Sequence, residues 1–468
     1  MVKRIAVVGA GISGLSVAFR LQEKLPDADI TIVEQASRPG GTAWTLREAG
    51  FQVEIGPNGF LDTKESTLQL SRQVGLEKEL IQGSEARKNR YLFLGDHLRA
   101  LPSGFCSFLW TGLLSFRGKF SLLWERFRAQ RTETGDESID AFARRRAGDE
   151  AADVFADALV TGIYAGDPKL LSLPACFPKL ADMEREYGSV IKGFFAEARK
   201  RKEEAEAKGE VYERSDRIWS FSGGMRTLVE ALMARLTRPP QFGVAIRGLS
   251  KSGGPSRPVW RVHTDGNDGW DADAVVLTCP AHQQATILAE LDGELAQSVG
   301  AIVYNRVVVV ALGFRKSDLP APLDGFGYIA PQNTRRDVLG VQWCSSVYQG
   351  RAPDDCVLVR AMAGGWNRPE IVDWDDDRLL TAVRAELRLA MGIESPPIFH
   401  KIIRWDRAIP QYQIGHLDRL SGIDARLATH PGLYLGGNAY RGVALNDCTE
   451  QGELLAARIG RFFAPLAA

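Results

Sequence analysis

At 468 residues the chain is longer than one simple core supports, so two or three domains are expected. Its 45% hydrophobic and 25% charged content is ordinary for a globular protein, and 58 basic against 58 acidic residues give zero formal charge, so no global field favours nucleic acid. Six cysteines without a C-x-x-C pair and six histidines without an H-x-x-x-H cluster argue against a disulfide framework, c-type haem or any metal, and fit a reducing compartment.

The chain opens on a core strand, Ile5-Ala-Val-Val, which leaves no room for a cleaved leader. That strand breaks into Gly9-Ala10-Gly11-Ile12-Ser13-Gly14 and starts a helix. Glu34 closes a second strand, Ile30-Thr-Ile-Val, twenty residues past Gly14. Gly9 permits the tight turn, Gly11 lets backbone approach a pyrophosphate, and Gly14 lets helix pack on strand. The helix N-terminus then faces the phosphates, and the Glu34 carboxylate suits a ribose hydroxyl while repelling a 2′-phosphate. Strand, glycines, helix and acid in one register predict a dinucleotide site.

Glycine-rich loops follow to about residue 60, and the pattern turns mainly helical from about Arg90 to Asp216. Residues 104–116 are apolar before Arg117 interrupts them, and Phe120, Leu122, Leu123 and Trp124 come next. The run is too short to span a bilayer. Two readings stand: a buried helix or loop covering a pocket, or a surface dipping into one leaflet beside Arg117, Lys119, Arg126 and Arg128. Residues 198–208 read as a solvated helix laced with ion pairs.

A helix is expected over 227–236 after Ser222-Gly-Gly-Met. Alternation over 259–263, a turn at 265–269 and an apolar run from Ala274 predict a hairpin returning to the first domain. Strand-like runs at 307–312, 327–330, 338–343 and 357–362 predict a separate mixed sheet. The chain closes with Gly432-Leu-Tyr-Leu-Gly-Gly-Asn438, a loop, and a helix from about Asn446 to Phe463.

The glycine fingerprint alone does not separate NAD from FAD. Arg38-Pro-Gly-Gly41 supplies a second glycine pair that can pass under a flavin's phosphates and ribityl chain. Leu435-Gly-Gly-Asn438 and Gly442-Val-Ala-Leu445 bring backbone N–H groups and a helix end, which stabilise negative charge on a reduced ring. Together they favour FAD.

Longer motifs point to one family. Glu54-Ile-Gly-Pro57, Asn89-Arg-Tyr-Leu, Ala100-Leu-Pro-Ser-Gly, Gly162-Ile-Tyr-Ala-Gly-Asp167, Ala175-Cys-Phe-Pro and Phe221-Ser-Gly-Gly-Met-Arg-Thr-Leu lie in the first half. Arg351-Ala-Pro, Ala363-Gly-Gly365, Ile409-Pro-Gln-Tyr-Gln-Ile-Gly-His416 and Tyr440-Arg-Gly-Val-Ala-Leu-Asn-Asp-Cys448 continue the pattern. Nearly end to end, the chain resembles the FAD-dependent protoporphyrinogen and coproporphyrinogen oxidases of the flavin amine oxidase-like superfamily.

The resemblance implies an α/β fold, α+β overall, in three parts. A Rossmann-like FAD-binding domain would use residues 1–95, 216–300 and 425–468; a helical lobe that touches membrane in several relatives would use 96–215; a mixed-sheet substrate-binding domain would use 301–424. The implied reaction is the six-electron oxidation of protoporphyrinogen IX to protoporphyrin IX in haem biosynthesis, with molecular oxygen as acceptor and peroxide released. Coproporphyrinogen III oxidation is the alternative, and amine oxidation on the same fold a further one. The Gly442-Val-Ala form and the shortage of placed basic residues favour protoporphyrinogen. The resemblance also allows a cytoplasmic setting, peripheral contact with the inner face of the cell membrane, and ferrochelatase as a partner; no nucleic acid is expected.

Carried over by position, the flavin contacts are Gly9, Ala10, Gly11, Ile12, Ser13, Gly14, Glu34, Arg38, Gly41, Thr42, Gly56, Pro57, Asn58, Gly59, Val244, Trp405, Gly442, Val443 and Ala444. Val244 would offer backbone to the adenine. Ile329, Leu339 and Met362 align with an apolar clamp on the macrocycle, and the Ala165-Gly166 backbone with contacts to pyrrole N–H groups. Some members carry Arg where this chain has Asn58, so the propionate partner is expected from Arg90 or from elsewhere in the chain. No catalytic acid or base is assigned, because a porphyrinogen gains aromaticity and the flavin supplies most of the driving force.

Overall fold

The computed structural model describes residues 2–132, 135–207, 217–254, 257–265 and 269–464. Strand β1 (Arg4–Val8), helix α1 (Ile12–Lys24) and strand β2 (Asp29–Glu34) form the expected opening. They belong to a five-stranded, wholly parallel sheet in the order Gln241–Phe242, β2, β1, Ala274–Leu277, Leu433–Leu435. Ile5, Ala6, Val7 and Val8 are all buried, since a parallel sheet is covered on both faces and its strands read as continuous apolar runs.

One face packs on α1, the helix Arg226–Arg235 and the C-terminal helix Leu445–Phe463. A Cβ added to Gly452 would lie 2.8 Å from the Ser16 Cβ, so this glycine brings the terminal helices together. The other face packs on helices Ala281–Leu288 and Gly293–Gly300 and on an antiparallel three-stranded sheet. That small sheet corrects the hairpin expectation. Arg257–Thr264 pairs with Ile246–Gly254 and Trp270–Ala272, whereas Ala274–Leu277 crosses directly into the parallel sheet. Residues 266–268 of the expected turn lie outside the described residues.

The second large sheet has seven strands in the order Phe399–Trp405, Val307–Arg315, Cys356–Gly364, Val338–Trp343, Gly327–Ile329, Arg90–Leu94, His97–Ala100. It is mixed because Gly327–Ile329 runs parallel to Arg90–Leu94 while its other pairings are antiparallel. Val308, Val310 and Leu312 alternate onto the outer face, where they meet Val359, Ala361 and the helix Asp376–Met391. Residues 90–100 are therefore strands of this sheet, not the start of a helical region, and they cross the expected 95/96 boundary. The hairpins Arg90–Leu94/His97–Ala100 and Thr45–Glu48/Phe51–Glu54 were both missed. Their two-residue loops, Gly95-Asp96 and Ala49-Gly50, have positive φ throughout; Gly-Asp is a usual pair for such a turn, whereas a left-handed alanine is not.

The helical stretch holds Ile139–Ala147, Asp157–Tyr164, Pro178–Tyr187 and Val190–Ala207. Exposed pairs Arg199–Glu203 and Lys202–Glu206 decorate the last of these, as its composition predicts. The 104–116 run divides: Leu113 and Leu114 are buried, yet Trp110 is 89% and Phe116 88% exposed.

Candidate functional site

The Gly9 N–H donates to the Val33 carbonyl at 2.7 Å, and its φ of +108° makes the turn out of β1. Any Cβ at Gly14 would fall inside the van der Waals shell of the Gly9 carbonyl and 2.7 Å from Thr278 Oγ1. A Cβ at Gly11 would meet nothing within 4 Å, so that edge of backbone is open to a ligand. Gly40 donates to the Ala10 carbonyl at 2.8 Å and brings the Gly40-Gly41 turn beside the fingerprint. Arg38 donates to the Pro39 and Gly41 carbonyls, each at 3.0 Å, and holds that turn; burial depresses its guanidinium pKa. Glu34 accepts the Ala10 N–H at 2.8 Å and the Ala36 N–H at 2.9 Å, which leaves lone pairs for a diol. Val244 lies alongside, but its N–H is spent on the Glu34 carbonyl at 3.0 Å, so only its carbonyl remains for an adenine.

The 54–59 loop lies across this opening. A Cβ at Gly56 would overlap the Thr42 carbonyl, and one at Gly59 the Tyr348 hydroxyl, so both glycines are set by close approach. Asn58 is 8% exposed, and among the described residues neither its Oδ1 nor its Nδ2 has a partner. A buried amide with both ends unmet is rare in a complete structure and fits a ligand-facing position. The inner face of the seven-stranded sheet presses on the same loop: Trp405 Nε1 donates to the Ile55 carbonyl at 2.9 Å and Arg360 to the Gly56 carbonyl at 2.8 Å.

From the other end of the chain, Tyr412 and Asn438 to Ala444 close the cradle. Buried Tyr412 accepts the Gly442 N–H at 2.9 Å and donates to the Asn438 carbonyl at 2.5 Å. It stacks on His416, which contacts the Tyr440 carbonyl at 2.9 Å. Asp447 accepts the Ala444 N–H at 3.0 Å and pairs with Lys64 at 2.8 Å. Val443 packs against the Tyr412 cluster. The Ile-Pro-Gln-Tyr motif alone gives Tyr412 no task, and nothing local signals that its hydroxyl serves a loop up to 30 residues away. Tyr412→Phe is expected to weaken FAD binding about 10-fold, roughly the loss of one well-made buried hydrogen bond. Fluorescence titration of the apoprotein with FAD measures it, and native affinity in the variant would count against a holding role.

The substrate residues divide less simply. Ile329, Gly340 and Met362 are register partners in successive strands, so Ile329 and Met362 share the inner face. A register shift between Val338 and Gly340 makes Leu339 the extra residue, and it packs with Val307 and Ala165. Ile329 instead packs beside Leu92, Leu113 and Ala158, so Leu339 and Ile329 belong to two separate small apolar clusters. Arg90 also lies on the inner face, in the row Arg90–Gly327–Gln342–Arg360, with its guanidinium 5.2 Å from the Phe326 ring centroid. The Ala165-Gly166 backbone is engaged internally. The Ala165 carbonyl accepts Asn305 Nδ2 at 3.0 Å and the Trp366 N–H at 2.8 Å, and the Gly166 carbonyl accepts Gln332 Nε2. The Ala165 acceptor is saturated, which corrects its expected contact with a pyrrole N–H; its methyl is what remains for a ligand.

Residues 12–460 match the family described as flavin containing amine oxidoreductase. The chain is 29% identical over 465 residues to a coproporphyrinogen III oxidase of Bacillus subtilis, covering 96% of each protein. It is 31% identical over 482 residues to a protoporphyrinogen oxidase of Bos taurus, covering 98% of each. A candidate protoporphyrinogen oxidase of Exiguobacterium sp. 255-15 superposes with a TM-score of 0.83 at 26% identity, over 98% of this chain and 99% of that one. The chain thus belongs to the flavin containing amine oxidoreductase family, as an FAD-dependent oxidase grouped with its protoporphyrinogen and coproporphyrinogen oxidases.

Proposed function

We propose that this chain oxidises protoporphyrinogen IX to protoporphyrin IX, consuming three molecules of oxygen and releasing three of hydrogen peroxide as six hydrogens leave the macrocycle. The observation that carries the reading is the apolar pair Ile329 and Met362 on the inner sheet face that also meets the glycine loop with its unmet Asn58 amide. FAD held by the Gly9–Gly14 turn, the 56–59 loop and Gly442–Ala444 would supply hydride acceptance and reoxidation by oxygen. The protein orients a flat apolar ring and excludes water from it; proton shifts between rounds are left to the tetrapyrrole. The porphyrin released is what a ferrochelatase downstream would consume.

Turnover of both porphyrinogens, followed by porphyrin fluorescence and peroxide release, tests the reading. Coproporphyrinogen III is the second candidate, favoured by the likeness to the Bacillus subtilis enzyme across 96% of both chains. A large preference for that tetracarboxylate would replace protoporphyrinogen as the substrate. Amine-dependent peroxide release without porphyrinogen turnover would overturn both.

Arg90 is assigned to a substrate propionate. Arg90→Gln should raise KM about 10-fold or more with kcat within a factor of two, because a charge-assisted hydrogen bond to bound substrate contributes about 1.5–3 kcal/mol. An unchanged KM removes Arg90 from the site.

The helical lobe is assigned to the cytoplasmic membrane surface. Trp110, Phe116, Phe120, Trp124 and Phe127 form an exposed aromatic ridge, with Lys119 over Phe116 and Arg126 over Phe127 at 5.4 and 4.9 Å from the ring centroids. Among the described residues, no helix is long and apolar enough to cross a membrane. Aromatic rings interleaved with cations suit the headgroup layer. Trp110→Ser with Phe116→Ser should cut co-sedimentation with anionic phospholipid vesicles about 10-fold, since each ring buries a sizeable apolar area there. Equal sedimentation of both proteins would refute the assignment.

A further inference from the structure

A buried charge cluster behind the 54–59 loop is used by none of the steps above. Glu54, Arg351 and Arg360 are all buried. Arg351 donates to Ser220 Oγ at 2.7 Å and the Phe221 carbonyl at 3.3 Å, and stands 3.8 Å from the Glu54 carboxylate. That carboxylate also accepts Thr45 Oγ1 at 2.9 Å and the Met225 N–H at 3.0 Å. One acid is therefore matched with one base, and Arg360 is left over. Its only hydrogen-bond partners among the described residues are two neutral carbonyls, Glu54 at 2.9 Å and Gly56 at 2.8 Å, and its Nε has none.

Two guanidinium groups against one carboxylate leave surplus positive charge in a poorly solvated place, which costs stability unless something negative is present. Burial pushes the Glu54 carboxyl up to about 6 despite Arg351, so the surplus is not smaller than the formal count. Arg360 sits two residues before Met362 on the same strand and the same inner face, with its guanidinium turned to the loop carbonyls. The surplus charge thus lies against the loop that carries Gly56 to Gly59.

Resting on the reading that FAD occupies that loop, we propose that Arg360 is the fixed counter-cation for the charge acquired by the cofactor on reduction, and that it raises the flavin's midpoint potential. A hydride adds two electrons and one proton to a neutral ring, so the ring gains one negative charge and the cluster reaches balance only then. Arg360 is a positioning residue in this scheme: it acts on the ring through space and through the loop it holds, and touches no reacting atom.

The test is the midpoint potential of the FAD-loaded protein, measured by dye-coupled reductive titration in wild type, Arg360→Gln, Arg360→Lys and Glu54→Gln. Arg360→Gln should lose at least about tenfold in preference for reduced over oxidised flavin, a fall of about 30 mV for a two-electron couple. Arg360→Lys should stay within about threefold, or about 15 mV, of wild type. Glu54→Gln removes a negative charge and should shift the potential the opposite way, upward. A merely structural role would move both charge-changing variants in the same direction, and that result, or no movement in either, overturns the proposal. Should Arg360→Gln fail to fold, an unmoved potential in Glu54→Gln alone overturns it. A wild-type chain that takes up no FAD would fail the cofactor reading, whereas bound FAD with unmoved potentials fails only this inference.

Discussion

Gly14→Ala is expected to yield a destabilised protein that purifies without colour, while Gly11→Ala yields an equally colourless protein of unchanged apo stability. The two glycines stand three residues apart and fail for different reasons. A methyl on Gly14 would enter the Gly9 carbonyl and approach Thr278 Oγ1 to 2.7 Å, so α1 must move away from β1. Overpacking of this kind costs about 1–3 kcal/mol, and the phosphate-facing N–H groups of α1 move with it. A methyl on Gly11 meets no protein atom within 4 Å and strains nothing until a pyrophosphate arrives. FAD affinity should fall at least about 100-fold in each, near 2.7 kcal/mol. Thermal unfolding of the apoproteins separates the two, and visible absorbance after FAD addition reports binding. A yellow, fully stable Gly14→Ala protein would refute the close-packing account.

Arg146→Met should destabilise the helical lobe by about 3–5 kcal/mol, the usual cost of leaving one buried ion without its partner. Arg146 and Glu125 are both buried; Arg146 Nε donates to Glu125 Oε1 at 2.8 Å, and its Nη atoms reach the Ala129 and Gly188 carbonyls at 3.0 and 3.1 Å. Glu125 in turn accepts Ser189 Oγ at 2.6 Å and the Val190 and Ile191 N–H groups at 3.0 and 3.2 Å, which caps the helix Val190–Ala207. One pair therefore fastens three segments. Burial alone would raise the Glu125 carboxyl, but bonds from Ser189, Arg146 and the two amides hold it below its ordinary value of 4.5. A depressed carboxyl contributes stability above its unfolded pKa and loses it as pH falls through the folded one. The gap between wild type and Arg146→Met should thus be widest near neutral pH and narrow below about pH 4.5. Glu125→Met combined with Arg146→Met should recover much of the loss, because replacing both ions removes the stranded charge. Denaturant unfolding at several pH values tests this; a pH-independent gap would argue against the ionic account.

What the sequence disclosed depended on how local each requirement is. Gly9, Gly11 and Gly14 answer to atoms within a few residues, so the spacing was readable, as was Glu34 at the end of β2. The apolar runs from Val307, Val338 and Val357 could be read because buried strands need little beyond a continuous hydrophobic stretch. The hairpin turn at Ala49-Gly50 was hidden by an alanine in a left-handed position, whereas Gly95-Asp96 is an ordinary turn pair that the sequence did offer. Leu339 was named only through the resemblance, and the bulge that sets it against Ala165 has no mark in the sequence. Arg360 and Tyr412 could not be given tasks from sequence. Arg360 meets Glu54 and Gly56 across 306 and 304 residues, and Tyr412 serves Asn438 and Gly442 across 26 and 30. No pattern along the chain records such pairings.

The order of strands in the parallel sheet also bears on how the protein folds. Arg4–Val8 anchors a sheet whose edge strand, Leu433–Leu435, comes from hundreds of residues further along the chain. The helix that packs against α1 comes later still. Pairing of such distant segments is slow to form, so until both ends have met the chain presents an incomplete parallel sheet whose apolar face is open to aggregation.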